Sequence, residues 1–279
     1  AMNRRNFLIG LIGFVATALA GAWLRPFIRL ENEDNRMEKN KMSSPRHYLN
    51  VAHRGASAYE PENTLRAFRR AIELGADMSE LDVHLSKDGH VIIMHNATVE
   101  KTTNGRGAIR EMTLAELKRL DAGKGEQIPT LPEVIDLVRG KNGLYIELKG
   151  EGTPPAVVKI LREQNFTDRR QVIVGSFLAP LVKEVKELAP EIATSLLVGP
   201  VFPADQLIAM TRSVNADYVH LCWENRHPTP HKLLTPELLS ALRAARLGIV
   251  LWHEERLPEL QVLRTLDVDA ICTNTPDQL

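Results

Sequence analysis

The sequence contains few cysteines: Cys222 and Cys272 are the only two among its 279 residues. Two thiols cannot form the several bridges that hold together small disulfide-rich secreted domains. One bridge remains open, provided that the protein is exported and the two side chains lie close together. Because an unpaired cysteine packs as a small apolar side chain, the pattern favours two buried free thiols.

The sequence also lacks an excess of either charge. It has 35 basic and 35 acidic residues, for a formal net charge of zero. This balance argues against a protein that binds nucleic acid through bulk positive charge, although local basic clusters stay open. The hydrophobic content of 44% and charged content of 25% are typical of a soluble globular protein. The length suffices for one large α/β domain or two small ones.

A long apolar run, "FLIGLIGFVATALAGAWL", occupies residues 7–24 and follows Arg4 and Arg5. Basic residues before an apolar segment that ends in small residues are typical of an export signal, and "NRRNFL" resembles a twin-arginine signal. The run is also near the minimum length that spans a bilayer, so an uncleaved membrane anchor is an alternative. A buried core helix is the third interpretation.

The stretch after this run is polar and charged, "ENEDNRMEKNKMSSPR", which is typical of a linker. We therefore predict a signal peptide or membrane anchor over residues 1–25, a polar linker over residues 26–47 and a folded domain over residues 48–279. The expected location is exported or membrane-anchored, on the periplasmic or other extracytoplasmic side. Membrane association through the N-terminus follows as an expectation.

From residue 49 onward, short apolar runs alternate with amphipathic helical patterns, which predicts an α/β domain of parallel strands joined by crossover helices. Eight strands in about 230 residues match a TIM-type (β/α)8 barrel. A doubly wound open sheet is the alternative, but its G-x-G-x-x-G turn is absent after the first strand. The predicted strands are Asn50–His53, Ser79–Leu85, Leu144–Leu148, Val172–Ser176, Ala193–Val198, Asp217–Leu221, Gly248–Trp252 and Asp269–Thr273.

One segment interrupts the alternation, because "SKDGH" and the apolar run "VIIMHN" follow the second predicted strand directly. The pair Asp88-Gly89 favours a two-residue hairpin turn, and so few residues cannot form a parallel crossover. We therefore predict an extra antiparallel strand with Asp82 opposite His95. Since opposed residues share a face, as do residues i and i+2, Glu80, Asp82 and His95 should point into one space.

Polar side chains collect where the predicted strands end, which is where barrel enzymes place their catalytic groups. Three carboxylates on separate supports suit a hard divalent cation such as Ca²⁺ or Mg²⁺ better than zinc, which favours His and Cys. Two histidines can divide acid and base roles, and two cations can hold an anion. Together they indicate phosphoryl chemistry. The residues are His53, Arg54, Glu80, Asp82, His95, Glu147 and Lys149.

Each residue has a purely structural alternative when it is taken alone. Glu80 or Glu147 can be a salt-bridge partner in the barrel mouth, and His95 can be a hydrogen-bonded core histidine. Asn63 and Thr64, in the motif "PENT", favour a turn and a helix cap, with Asn63 as the N-cap of a helix that begins at Thr64. The convergence of seven such residues favours a functional site over these separate explanations.

Long motifs in this sequence resemble the glycerophosphodiester phosphodiesterase family. They are "AHRGASAYEPENTLRAFRRAIELGAD", "SELDVHLSKDGHVIIMHN", "TTNGRG", "IPTLPEVIDLV", "LYIELKG", "VGSF" and "VDAICTNTPD", and they cover nearly the whole predicted domain. The resemblance implies a TIM-type barrel that binds a divalent cation through Glu80, Asp82 and Glu147. It implies His53 and His95 as the acid–base pair, Arg54 and Lys149 as phosphate ligands, and Trp252 as a wall of the substrate site.

The resemblance also implies a reaction, in which a glycerophosphodiester and water give sn-glycerol 3-phosphate and an alcohol. Glycerophosphocholine and glycerophosphoethanolamine are the expected small-molecule substrates. A related activity on membrane lipids, of the lysophospholipase D or phosphoinositide type, is the alternative, and a non-catalytic binder of phosphodiesters is a third. None of the histidines or carboxylates is lost, which disfavours the third.

The sequence departs from the family pattern at three places. Asn96 follows His95 where the family usually has Asp, and Asn keeps a hydrogen-bond acceptor, so we expect a modest effect. His253, Glu254 and Glu255 follow Trp252 where W-T-V-N is frequent, which adds two carboxylates near the mouth. The segment 97–131, often an inserted cap over the glycerol site, is short, and this predicts an open site.

Overall fold

The computed structural model describes residues 46–279. Its strands are β1 Leu49–Ala52, β2 Met78–Leu85, β3 Val91–Ile93, β4 Gly143–Leu148, β5 Val172–Ser176, β6 Ala193–Val198, β7 Tyr218–Leu221, β8 Gly248–Leu251 and β9 Ala270–Thr273. Its α-helices are α1 Leu65–Glu73, α2 Leu114–Leu117, α3 Leu131–Val138, α4 Thr153–Glu163, α5 Ala179–Leu188, α6 Ala204–Ser213, α7 Pro236–Ala244 and α8 Leu257–Leu263. Short 3₁₀ turns span Ile109–Glu111, Pro230–Leu233 and Pro276–Gln278.

Eight parallel strands close into a barrel, because β1 pairs with both β2 and β9. The remaining neighbours follow in the order β2, β4, β5, β6, β7, β8 and β9. The predicted (β/α)8 barrel is therefore confirmed, and the open-sheet alternative is wrong. Each predicted strand lies within one residue of an observed strand at either end. Alternation of apolar runs with amphipathic helices was thus sufficient to locate the parallel strands.

The strand β3 lies antiparallel to β2, with Val83 opposite Ile93. The predicted register is wrong by one residue, because Met94 rather than His95 lies beside Asp82, to whose carbonyl it donates a backbone hydrogen bond of 2.9 Å. The turn explains the shift. It holds three residues instead of two and ends at Gly89, whose φ of 82° is in the left-handed region that such loops require.

One edge of β2 pairs with two different strands, β1 and β3. The opposite edge pairs with β4 alone, from Met78 to Val83. β1 pairs only at the beginning of β2, up to Ser79, and β3 pairs at its end. The gap between β1 and β3 is where the chain leaves β1 at the barrel mouth.

The barrel interior is filled by side chains at alternate positions of the strands. On β4, Tyr145 is buried in this interior cluster, Glu147 follows two residues later, and Lys149 lies just beyond the strand. Apolar packing therefore gives way to charged groups toward the carboxyl ends of the strands. Separate apolar clusters between the strands and the surrounding helices form the outer core.

Cys222 and Cys272 are both buried and unpaired, as the sequence pattern favours. The predicted signal or anchor over residues 1–25, and all but the last residues of the predicted linker, lie outside the described part of the chain. Within residues 46–279, no helix is both long enough and apolar enough to cross a membrane.

Candidate active site

The loop after β1 carries the first site residues into the mouth of the barrel. His53 is buried, and Arg54 and Gly55 follow with φ angles of 54° and 78°. These left-handed conformations turn the chain sharply, and they are readily adopted by glycine. The backbone N–H of Arg54 donates a 2.9 Å hydrogen bond to Glu80 Oε2. The turn therefore fixes the first strand end against a carboxylate of β2.

Three buried carboxylates face one another inside the mouth. Glu80 and Asp82 lie two residues apart on β2, and Glu147 pairs in register with Asp82 from β4. One oxygen from each lies within 4.8 Å of the others. Such a cluster of oxygen donors is the arrangement that hard divalent cations require.

Two cations partly neutralise this cluster. Lys149 Nζ lies 3.1 Å from Asp82 Oδ1 and 2.6 Å from Glu147 Oε1. Arg54 Nε lies 3.4 Å from Asp82 Oδ2, and its guanidinium also contacts Glu62 at 2.9 Å. Three site carboxylates therefore meet two site cations, and the cluster can accept further positive charge.

The titration of the carboxylates agrees with a cation site. Burial and repulsion from Asp82 and Glu147 raise the pKa of Glu80 well above its ordinary value. Burial and Asp82 likewise raise the pKa of Glu147 to about 7. Burial alone would raise the pKa of Asp82, but Lys149 and Arg54 outweigh it and lower that pKa. Without a bound cation, the positive charge near the carboxylate cluster is thus too small to keep Glu80 and Glu147 at their ordinary pKa values.

Three oxygens of the carboxylate cluster have no hydrogen-bond partner among the described residues. Asp82 Oδ1 has an ion pair with Lys149, whereas Glu80 Oε1 and Glu147 Oε2 have neither kind of partner. A buried polar atom without a partner costs free energy, so such atoms are rare unless a ligand satisfies them. Both atoms belong to the carboxylate cluster, and neither is engaged by Lys149. The donor set therefore fits a hard divalent cation, which Glu80, Asp82 and Glu147 would hold.

Each predicted catalytic histidine is held by an asparagine. His53 Nδ1 lies 2.6 Å from Asn274 Oδ1, and His95 Nδ1 lies 2.7 Å from Asn96 Oδ1. Because an amide oxygen only accepts, these contacts assign the proton to Nδ1 and leave a lone pair on each Nε2. Nε2 of His53 has no hydrogen-bond partner among the described residues and lies 3.9 Å from Glu80 Oε2.

The surroundings of both histidines favour the neutral imidazole over the imidazolium. Burial, followed by the charges of His253 and Arg54, lowers the pKa of His53 well below its ordinary value. Burial also lowers the pKa of His95, although the nearby Asp82 carboxylate offsets part of this effect. A neutral imidazole with a free Nε2 can accept a proton, which is what a general base requires.

Trp252, just after β8, forms an aromatic wall beside His53. The two ring centroids are 5.1 Å apart, with a plane angle of 64°. Phe177 packs on the indole at 5.8 Å, and His220 packs on it at 4.9 Å. His220 also bonds Tyr145 inside the barrel at 2.9 Å, so the wall continues into the interior cluster.

The sequence prediction for "PENT" is wrong at Asn63. Thr64 is the N-cap of α1, since its hydroxyl accepts from the backbone N–H of Ala67. Asn63 is buried instead and donates to Asp82 Oδ2 at 2.9 Å. Sequence reasoning also gave no role to Asn274, and it noted His253 only as a departure from the family pattern. The roles of Asn274 and His253 were hard to predict from the sequence, because hydrogen-bonding residues near strand ends often stabilise turns instead of forming a functional site.

The segment 97–131 forms a small apolar cluster beside His95. The cluster contains Ile92, Met94, Val99, Ile109, Leu117, Ala122 and Ile128. It holds a 3₁₀ turn and α2, and the capping box of Thr113 and Glu116 begins that helix. His95 is near the Asp82 carboxylate, and it also lines a cavity together with Thr102 and Ala122 of this segment.

The fold and the site define a (β/α)8-barrel protein whose mouth combines an acidic cation site with two asparagine-bound histidines. The model of the glycerophosphoryl diester phosphodiesterase family matches residues 53–278. The chain belongs to this family.

Similar proteins agree with this membership. A glycerophosphodiester phosphodiesterase of Caldanaerobacter subterraneus subsp. tengcongensis is 37% identical over 246 residues, covering 83% of this chain and 96% of that protein. A Bacillus subtilis glycerophosphodiester phosphodiesterase is 30% identical over 294 residues, covering 96% and 92%.

Solved structures give the same result for the fold. An Oleispira antarctica phosphodiesterase in complex with the product sn-glycerol-3-phosphate superposes with a TM-score of 0.73 at 30% identity, covering 82% of this chain and 93% of that chain. A glycerophosphodiester phosphodiesterase from Agrobacterium tumefaciens gives a TM-score of 0.72 at 30% identity, covering 82% and 96%. The similarity to these two structures thus extends over nearly all the described residues.

Proposed function

We propose that this protein hydrolyses glycerophosphodiesters, such as glycerophosphocholine and glycerophosphoethanolamine, to sn-glycerol 3-phosphate and an alcohol. The observation that carries the proposal is the meeting of two asparagine-bound histidines with the buried carboxylate cluster in one mouth. Family membership supports it, as does the sn-glycerol-3-phosphate bound by the Oleispira antarctica relative.

The cation of this proposal is Ca²⁺ or Mg²⁺, held by Glu80, Asp82 and Glu147. When bound, it supplies positive charge that stabilises the phosphate oxygens as negative charge builds up on them. Arg54 and Lys149 add charge at the same edge of the cluster and hold the phosphate, the arginine through its planar guanidinium. Trp252 bounds the space beside His53.

The two histidines move the protons. The histidine that acts as base, neutral and free at Nε2, removes the proton of a glycerol hydroxyl, whose oxygen then attacks phosphorus. The other histidine enters this step protonated on Nε2 as well as on Nδ1, and it donates the Nε2 proton to the departing alcohol as the bond from that alcohol to phosphorus breaks. Water then opens the cyclic phosphate with the two roles reversed, so the proton count is restored. Direct attack by water is the alternative route. Asn274 and Asn96 keep Nε2 of His53 and His95 available for these transfers.

The test is hydrolysis of glycerophosphocholine by the purified protein, with release of choline measured over time. We expect activity with Ca²⁺ or Mg²⁺, loss with a chelator and recovery when the cation is restored. His53→Ala and His95→Ala should each lower kcat by about a thousandfold or more. His90→Ala is the matched control, because His90 is exposed in the hairpin turn and outside the site. Full activity of either site variant would overturn the assignment.

A second candidate substrate is a lysophospholipid, as for a lysophospholipase D. Exposed apolar side chains support it, since Phe177, Leu178, Val201 and Leu257 all lie in segments that follow barrel strands toward the mouth. Such side chains can contact an acyl chain or a lipid surface. Comparing kcat/KM for lysophosphatidylcholine and glycerophosphocholine separates the two. A higher value for the lysolipid, reduced by Phe177→Ser, would favour this candidate.

We also propose that residues 1–25 direct the protein to the extracytoplasmic side, as a cleaved signal or as an anchor. The proposal rests on Arg4, Arg5 and the apolar run that follows them. Fractionation of cells that express the full chain, with and without a lysine pair in place of the arginines, tests it. Unchanged cytoplasmic recovery of both forms would contradict export.

A further inference from the structure

The segment after β8 brings a third histidine to the site. The ring centroid of His253 is 4.4 Å from that of His53, with a plane angle of 63°. Trp252 meets the same imidazole at 5.1 Å and 64°. Two aromatic side chains thus approach His53 at steep angles. Trp252 and His253 are themselves 6.0 Å apart, so the three rings form one packed cluster that disfavours rotation of the His53 imidazole.

Glu255 connects His253 to the residue that binds His53. Its Oε1 lies 3.6 Å from His253 Nδ1. The backbone N–H of Asn274 is also close enough to the Glu255 carboxylate to oppose the rise in its pKa that burial causes. The side-chain oxygen of Asn274 in turn binds His53 Nδ1 at 2.6 Å. The contacts therefore close a ring of four residues, namely His53, Asn274, Glu255 and His253.

The surroundings of His253 favour a packing role over a charged one. Arg54 and His53 both lie nearby, and the negative charges close to the ring are those of Glu254 and Glu255. Burial and Arg54 lower the pKa of His253 to about 4, so the ring is neutral near pH 7. Its Nδ1 makes no hydrogen bond within the described residues. The side chain therefore acts on His53 chiefly through its ring.

We propose that His253 and Glu255 are positioning residues that fix the orientation of the His53 imidazole. His253 packs against the imidazole from one side, while Glu255 contacts His253 and lies beside the backbone of Asn274. The inference rests on the proposed function, in which His53 transfers a proton. It also explains the segment Trp252–Glu255, because the threonine of the frequent W-T-V-N pattern has no ring to pack against His53.

The test compares His253→Ala with His253→Phe. A misplaced proton carrier lowers kcat without weakening substrate binding, so His253→Ala should reduce kcat by about 10- to 100-fold and leave KM unchanged. Phenylalanine keeps a ring and should restore most of kcat. Glu255→Ala should also lower kcat. The double variant should be little worse than His253→Ala, because either change opens the same ring of contacts.

Two further measurements keep the result interpretable. The Ca²⁺ affinity of each variant should match that of the wild type, since neither residue belongs to the carboxylate cluster. The thermal midpoint of each variant should stay well above the assay temperature, so that a lower kcat does not reflect unfolding. His90→Ala, an exposed histidine outside the site, is the matched control for a lost imidazole.

Three outcomes would overturn the inference. Wild-type kcat in His253→Ala removes any positioning role. Equal losses in His253→Phe and His253→Ala make the imidazole itself the active group. A raised KM with unchanged kcat makes His253 a substrate ligand. Failure of the proposed function would give a different result. His53→Ala would then retain activity, regardless of the effect of His253→Ala.

Discussion

Asn63 and Asp82 hold each other through two hydrogen bonds. The Asn63 amide donates to Asp82 Oδ2 at 2.9 Å, and the backbone N–H of Asp82 donates to Asn63 Oδ1 at 3.4 Å. Asn63 has a φ of 58°, in the left-handed region that asparagine enters more readily than most residues. The turn before α1 therefore orients a carboxylate of the cation site on β2.

This relationship predicts that Asn63→Gly weakens cation binding. Glycine accepts the left-handed backbone, so the substitution removes only the side chain and avoids a backbone penalty. Residues that orient metal ligands typically contribute 10- to 100-fold, so we expect the Kd for Ca²⁺ or Mg²⁺ to rise by about that factor. Isothermal titration of the chelator-treated protein measures it. Asn165→Gly, at an exposed position with a φ of 51°, is the matched control. Equal affinity in both variants would refute the role.

The contact between His95 and Asn96 predicts a graded series. Asn96→Asp keeps the oxygen that accepts from His95 Nδ1, so kcat should stay within about threefold of the wild type. Asn96→Ala removes the acceptor and lets the imidazole rotate or change tautomer, and kcat should fall by about tenfold or more. Steady-state hydrolysis of glycerophosphocholine with saturating cation distinguishes them. Wild-type kcat in Asn96→Ala would show that another group orients His95.

The carboxylate cluster predicts an unusual pH dependence of stability for the cation-free protein. Burial and Asp82 raise the pKa of Glu147 from 4.5 to about 7, so the folded state keeps a proton that the unfolded state releases in this window. The free energy of unfolding should therefore fall as pH rises from about 4.5 to about 7, by roughly 3 kcal/mol for this group. The raised pKa of Glu80 acts in the same direction.

Urea unfolding in the presence of chelator, repeated between about pH 4.5 and about pH 8, measures this slope. Glu147→Gln should flatten it, because the amide does not titrate while its shape is conserved. Added Ca²⁺ should also reverse the loss above about pH 7, since a cation stabilises the ionised carboxylates. A flat profile for the cation-free wild type would contradict the raised pKa of Glu147.

The barrel was predictable because its determinants are local. Parallel strands buried on both faces appear as short apolar runs, and the crossover helices between them have helical periodicity. Part of the site was predictable for the same reason. Glu80 and Asp82, like Glu147 and Lys149, are two residues apart, so strand geometry alone places each pair on one face.

The rest of the site depends on contacts that close late in the chain. His53 and Asn274 are separated by 221 positions, and only closure of β1 against β9 brings them together. The hairpin register failed for a different reason. Asp88-Gly89 suits both a two-residue turn and a three-residue loop, and the choice between them shifts the pairing by one residue. His95 still reaches Asp82, because the chain leaves the ladder after Ile93.

The turn at Gly55 predicts a site-specific loss of stability. A Cβ at this position would lie 2.6 Å from the backbone carbon of Ala67, and φ is 78°. Gly55→Ala therefore adds overpacking of about 1–3 kcal/mol to the cost of a left-handed alanine, about 1–2 kcal/mol. Gly75→Ala is the matched control, with a φ of 79° and no atom within 4 Å of the added Cβ.

The difference in the free energy of unfolding between these two variants isolates the contact with α1. We expect Gly55→Ala to be the less stable by about 1–3 kcal/mol in urea unfolding with saturating Ca²⁺. It should also lower kcat, because the displaced turn carries His53 and Arg54, whereas Gly75→Ala should leave kcat unchanged. An equal loss in the free energy of unfolding in both variants, with full activity, would contradict this prediction. It would mean that α1 moves away from the added Cβ at Ala67 at no cost, and that the turn does not position His53 and Arg54.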